Sequence, residues 1–124
     1  MEFKIDTKET FSTITPVADV ISAKMATELA ETCRNMRQSG SYNFIIDLQH
    51  CAKIENDAIG EIIAMHEESY GQEQSLVFTG MGEAILSALK ADETDMLINI
   101  APKMIEAIDI VSMEILERDL FAEE

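Results

Sequence analysis

Short apolar runs at Phe44–Ile46 and Leu76–Phe78 are each followed, after a few loop residues, by a stretch of helical period, and this alternation restricts the fold more than any other feature of the chain. A continuous apolar run closed by a polar residue, as Asp47 closes the first, is the pattern of a strand covered on both faces. Such strands need crossover helices packed against them, so the repeat of strand, loop and helix implies a mostly parallel sheet. Residues Met96 to Ile100 continue the series as a last strand. Pro102 then suits the first turn of a final helix running through Ile105, Ile108 and Val111 or Ser112.

The N-terminal part reads differently. Residues 2–6 and 11–15 each alternate polar and apolar around the polar TKET, which predicts an antiparallel hairpin whose second strand closes at Pro16 or carries it on an edge. From Ser22, a ready N-cap, Met25, Ala26, Leu29, Ala30, Cys33 and Met36 recur at helical steps until Ser39-Gly40 ends the helix. A second helix is expected to start at Asn56 or Asp57, either of which caps well, and to carry Ile59, Ile62, Ile63, His66 and Tyr70 to Gly71. Asp57 also places negative charge at the positive end of the helix dipole. A third helix follows the loop Thr79–Gly82 and carries Ala84, Ile85, Ala88 and Leu89. The predicted order is β-β-α-β-α-β-α-β-α, one α/β domain spanning the 124 residues.

The formal charge is −15, and residues 67–124 hold 14 acids and 3 bases against 10 and 6 in residues 1–66. A field of that sign repels phosphate backbones, so nucleic-acid binding is excluded as an expectation. No apolar stretch approaches the ~18 residues of a membrane span. The start lacks a secretory pattern, and Cys33 and Cys51 do not form a metal-ligand pattern, which together predict a cytoplasmic protein with free thiols. Neighbouring His50 and Cys51 diverge rather than forming a nucleophile and its base. His66, beside an apolar stripe, reads as a satisfied, partly buried histidine. Most of the eight methionines read as core filling, with Met81, in a loop, an adaptable contact.

One constellation points to phosphoryl chemistry: Asp47, Thr79 and Lys103 end or follow successive strands, the order of acid, hydroxyl and lysine in a phospho-accepting receiver domain. That site also needs an acidic pair after the first strand to hold Mg²⁺, whereas Asp6 is followed by Thr7-Lys8 and a second strand.

The segment 43–60, NFIIDLQHCAKIENDAIG, resembles the signature of the STAS domain, the anti-sigma-factor-antagonist family, in which an apolar strand ending in Asp-Leu leads to Asp-Ser-(Ser/Thr)-Gly-Leu-Gly at a helix start. Val17-Ala18-Asp19 resembles the loop before the family's first helix, Gly80 to Leu89 its third-helix segment, and Ile98 to Ala107 its last strand and the opening of its final helix. Essentially the whole chain is covered, and the element order agrees with the one read from the residues.

The resemblance implies a STAS-like α/β fold and a non-enzymatic bacterial module of partner-switch signalling and transcription regulation, without cofactor or metal. In that family the loop and helix start dock on an anti-sigma factor with a histidine-kinase-like ATPase fold. This partner phosphorylates the module's serine to release it, and a phosphatase restores it. The implied docking surface here is Glu55, Asn56, Asp57, Ala58, Ile59 and Gly60, with Asp19, Gly80 and Met81 beside it. With Gly60 on the second glycine, Glu55 takes the Asp position, Asn56 and Asp57 the two hydroxyl positions and Ala58 the first glycine. No Ser or Thr lies between Tyr42 and Glu68, so a serine kinase has no acceptor in this loop. Two mechanisms stay open: Asp57 as a built-in phosphoserine mimic, or as a residue that the partner accepts. Related roles, in stressosome-like assemblies, chemotaxis-linked regulators or lipid-transport complexes, stay open too, as does a homo-oligomer.

Overall fold

The computed structural model describes residues 2–122. Strands β1 (Glu2–Thr7) and β2 (Ser12–Val17) form the expected antiparallel hairpin, in register from Glu2 opposite Val17 to Thr7 opposite Ser12. Pro16 does not end β2. Only Ser12–Ile14 pair with the next strand, so residue 16 faces no ladder on that side and its missing N–H is harmless. Strands β4 (Phe44–Asp47), β6 (Leu76–Thr79) and β7 (Ile100–Ala101) extend the sheet in parallel, giving the order β1-β2-β4-β6-β7.

The period-two geometry of a strand divides the sheet's side chains between two layers. On one face Ile14, Phe44, Ile46, Leu76 and Phe78 pack against Met25 and Leu29 of α1 (Ala23–Gln38), Ile62 and Met65 of α2 (Asn56–Gly71), and Ile85 and Leu89 of α3 (Glu83–Ala91). On the other, Ile45, Val77 and Ala101 are covered by Ala107 and Val111 of α4 (Met104–Ala122), with Phe11, Met104, Ile108 and Ile115 at the margins. Ser22 caps α1 as expected, its side chain accepting the Met25 N–H at 3.1 Å.

Two features differ from the sequence reading. Val20–Ile21 and Lys53–Ile54, which the sequence pattern assigns to no element, pair in parallel as β3 and β5, a separate two-stranded ribbon. The expected strand at 96–100 is largely absent. Thr94–Met96 form a single 3₁₀ turn, with the Leu97 N–H donating to the Thr94 carbonyl at 2.9 Å, and only Ile100–Ala101 join the sheet. Thr94, buried, anchors this turn, which leaves Met96 and Leu97 exposed.

With β7 so short, side chains close part of the β6 margin. The Asn99 N–H, which a longer β7 would direct across to β6, instead donates to Nε2 of His66 at 3.1 Å, and Asn99 Nδ2 donates to the Tyr70 hydroxyl at 2.6 Å. Tyr70 donates in turn to Glu114 Oε1 at 2.7 Å, which also accepts from Ser75 Oγ at 2.6 Å, so α2 and α4 meet around the sheet edge. Burial, reinforced by Glu114, pushes the Tyr70 hydroxyl up to about 12. His66 is half-buried and satisfied, as its place beside the apolar stripe suggested.

Burial holds the His66 imidazole below its ordinary value, outweighing the attraction of Glu114 and Glu67. As pH falls, the unfolded chain therefore binds this proton before the folded one does, and the histidine's contribution to stability declines below the unfolded pKa. Protonation also removes the lone pair that accepts the Asn99 N–H. Urea titrations at about pH 7.5 and about pH 5.5 are expected to show the wild type losing more stability than His66→Gln. Parallel losses in the two proteins would exclude His66 as the source.

Candidate functional site

The carboxyl ends of parallel strands and the loops after them gather at one pole of an α/β sheet, where sites are usually built. Here that pole carries Asp19 after β2, the segment Leu48–Ala52 after β4 and Gly80–Gly82 after β6. The β3–β5 ribbon straps the first to the second: the Asp19 carbonyl accepts from the Ala52 and Lys53 N–H groups at 2.6 and 3.2 Å, and the Ile21 carbonyl accepts from the Glu55 N–H at 3.0 Å. Asp19 is thereby held beside the start of α2.

The third loop is fastened to the second. The Leu48 N–H donates to the Thr79 carbonyl at 2.8 Å. Asp47, only 7% exposed, accepts the Gln49 backbone N–H on Oδ1 at 3.1 Å and the Gln49 side-chain amide on Oδ2 at 2.6 Å. Gly80 lies against this turn with φ +74°, and a Cβ on it would stand 2.5 Å from Asp47 Oδ1 and 3.0 Å from the Gln49 nitrogen. Only glycine combines that backbone conformation with so close an approach.

At the start of α2 the N-cap is Glu55, with extended backbone (φ −85°, ψ 146°) and no side-chain capping bond, instead of Asn56 or Asp57. The reason lies in the strap: pairing of β5 with β3 holds the chain extended through Ile54, and the helix begins directly after Glu55. Asn56 and Asp57 thus fall within the first turn. Glu55, Asn56 and Asp57 are exposed, and among the described residues no cation forms an ion pair with either carboxylate. Ala58 and Ile59 are 0% and 4% exposed and face the core, so these two do not belong to the expected docking surface. Gly60 is exposed, and a Cβ there would meet nothing within 4 Å. Met81 is partly buried against the core, and Asp19 is exposed.

The acid, hydroxyl and lysine of the receiver constellation do converge, lining a cavity of about 250 Å³ with Gln49, Gly80, Pro102 and Met104. The arrangement nevertheless contradicts that reading. Both Asp47 oxygens are engaged by Gln49, and the Thr79 hydroxyl donates to the Ala101 carbonyl at 2.8 Å. Among the described residues no three His, Cys, Asp or Glu side chains lie together to hold Mg²⁺, and the sheet is edged by an antiparallel hairpin. Nor is Cys51 an activated nucleophile: burial, with Asp19 and Asp47 adding to it, pushes its thiol up to about 11. No helix among the described residues is long and apolar enough to cross a membrane.

The sequence reading missed Gln49 and Lys53. Gln49 locks the β4 loop, and exposed Lys53 stands in the strap two residues before Glu55. The apolar pair Val20-Ile21 directly before the Ser22 cap was the available signal for the strap, but two residues are too few to show a period.

An antiparallel hairpin leading into a parallel sheet, three helices on one face and the last on the other, with the β4 loop and α2 start at the carboxyl pole, is the architecture of the STAS fold. The chain has that fold. It is similar to an anti-sigma factor antagonist from Mycobacterium paratuberculosis (TM-score 0.75, 15% identity, over 90% of this chain and 93% of that one). It is also similar to an anti-sigma-factor antagonist (STAS) domain protein from Planctomyces limnophilus (0.74, 12%, 89% and 97%). A third similar structure is a serine-to-glutamate variant of RsbS from Moorella thermoacetica (0.74, 14%, 95% and 99%). No family model matches the sequence, and a search of curated proteins gives no match.

Proposed function

We propose that this chain is a non-enzymatic regulatory module of the anti-sigma-factor-antagonist kind, which docks a partner protein at the carboxyl pole of its sheet. The contact residues are Asp19, Glu55, Asn56, Asp57, Gly60, Gly80 and Met81, and the partner class is an anti-sigma factor or serine kinase with a histidine-kinase-like ATPase fold. The observation that carries the reading is the β3–β5 strap, which presents exposed Asp19, Glu55 and Asp57 on hydrogen-bonded backbone at the helix start. Preorganised loops lose little entropy on docking. Gly60, with open space where a side chain would stand, leaves the outer side of the first turns accessible.

The loop has no hydroxyl, so control by its phosphorylation is absent and binding is phosphorylation-independent. Asp57 carries one negative charge where a phosphoserine would carry about −1.5 to −2, and among the described residues it forms no ion pair, which suits a basic residue on the partner. Affinity capture from the native host with wild type, Asp57→Ser and Asp57→Ala tests this. The expected result is that wild type captures an ATPase-type anti-sigma factor and Asp57→Ala weakens the capture. Capture by the two variants alone would make Asp57 a built-in release signal, and capture by none would overturn the assignment.

A further inference from the structure

Helix α4 is apolar on both sides. Its inner side is accounted for by fully buried Ala107 and Val111. On the outer side Ile105, Met113, Leu116 and Leu120 are 68%, 61%, 59% and 57% exposed, and at 3.6 residues per turn all four fall opposite the buried pair. A surface helix ordinarily carries polar residues there. Met113, Leu116 and Leu120 follow one another along this side, and an exposed apolar surface rimmed by polar residues marks an interaction site.

The charges around the stripe have one sign. Asp119 borders it on one side, Glu106 and Glu117 on the other, and Asp109 lies between Ile105 and Met113; all four are exposed. The single base of the helix, Arg118, is turned inward, where its Nη2 donates to Asn43 Oδ1 at 3.1 Å and Ser75 Oγ at 3.0 Å. We infer that the outer face of α4 is a second docking surface, for a protein partner whose apolar groove is rimmed by lysine or arginine. Charge complementarity selects this occupant. A second copy of the chain would set the same acids against one another, and an anionic bilayer would meet them with like charge. Because α4 covers the opposite face of the sheet from α2, both surfaces can be occupied together, and this inference stands or falls independently of the docking reading at the α2 start.

The test uses a labelled helical peptide with leucine along one face and lysine on its flanks, followed by fluorescence anisotropy at physiological ionic strength. Saturable binding to wild type is expected to weaken at least about tenfold in the double variant Leu116→Ser/Leu120→Ser, which keeps every charge. It is expected to weaken comparably in Glu117→Lys/Asp119→Lys, with circular dichroism unchanged in both. Undiminished binding by either double variant overturns the proposal, and so does equal binding of a peptide with serine in place of each leucine. A wild-type dimer in sedimentation that Leu116→Ser/Leu120→Ser abolishes would make a second copy the occupant. Vesicles of phosphatidylcholine and phosphatidylglycerol that bind wild type but not this variant would make it a membrane, and either result also overturns the proposal.

Discussion

Replacing Gly80 by alanine is expected to destabilise the protein by about 2–4 kcal/mol in equilibrium denaturation, the sum of a left-handed backbone conformation and a disturbed buried carboxylate. The backbone at Gly80 has φ +74°, which costs a residue with a Cβ about 1–2 kcal/mol. The added carbon would also stand 2.5 Å from Asp47 Oδ1, the atom that accepts the Gln49 N–H. Relief of the clash must therefore break the turn that positions the β4 loop. A double variant separates the two contributions: Asp47→Ala in the Gly80→Ala background removes the nearest obstruction, so the effects of the two substitutions should fall short of additive. The Gln49 nitrogen at 3.0 Å and the positive φ remain, so glycine is still preferred at position 80 in the Asp47→Ala protein. A neutral Gly80→Ala would mean that the loop runs elsewhere.

Phe44→Ala is expected to cost about 3–5 kcal/mol, the range for deleting a buried aromatic ring. Phe44 is fully buried on the central strand β4, between β2 and β6, and the Arg37 guanidinium lies 5.3 Å from its ring centroid. Arg37 also donates to Ser69 Oγ, joining α1 to α2 above that ring. Removing the ring leaves a cavity and takes away the aromatic face under a partly buried cation. Phe44→Leu, which keeps most of the volume, should cost about 1.5 kcal/mol or less, and unfolding midpoints in urea measure the difference between the two. Equal losses would show that the ring face, rather than the filled volume, is what the site requires.

The extent to which this fold was legible follows from how much sequence each element occupies. Phe44–Ile46 and Leu76–Phe78 are buried on both faces, and no other element demands an uninterrupted apolar run bounded by turns. The α1 boundaries were legible because Ser22 caps by its side chain and Gly40 adopts φ +99° after the last turn. The α2 span, Asn56–Gly71, was legible, but its N-cap falls on Glu55, which the Ile21 carbonyl holds there by a contact made across more than thirty residues. The same non-local pairing hid β3 and β5. At 96–100 the apolar composition suited a strand, but Glu93 turns the backbone to φ +57° and the following amides close a 3₁₀ turn before β7 begins. Helix α4 runs past Ser112 to Ala122 because its inner side still finds contacts, in Glu114, Ile115 and Arg118.

The candidate site was legible in its chemistry and less so in its geometry. Residues 55–57 were singled out, and all three are exposed at the pole. Ala58 and Ile59 were included by contiguity along the chain, whereas helical geometry turns them inward after the first residues. Asp47, Thr79 and Lys103 were correctly placed together by strand order alone. The partners that engage Asp47 and Thr79, namely Gln49 and the Ala101 carbonyl, come from a turn and a neighbouring strand whose register no local pattern encodes.

Hydrogen exchange on the complex with the captured partner tests the central claim most directly. Docking at the pole predicts added protection of amides in segments 52–60 and 80–84, with exposed parts of the β1–β2 hairpin unchanged. Protection confined to the hairpin or to segments outside that pole, with 52–60 exchanging as in the free protein, would contradict it.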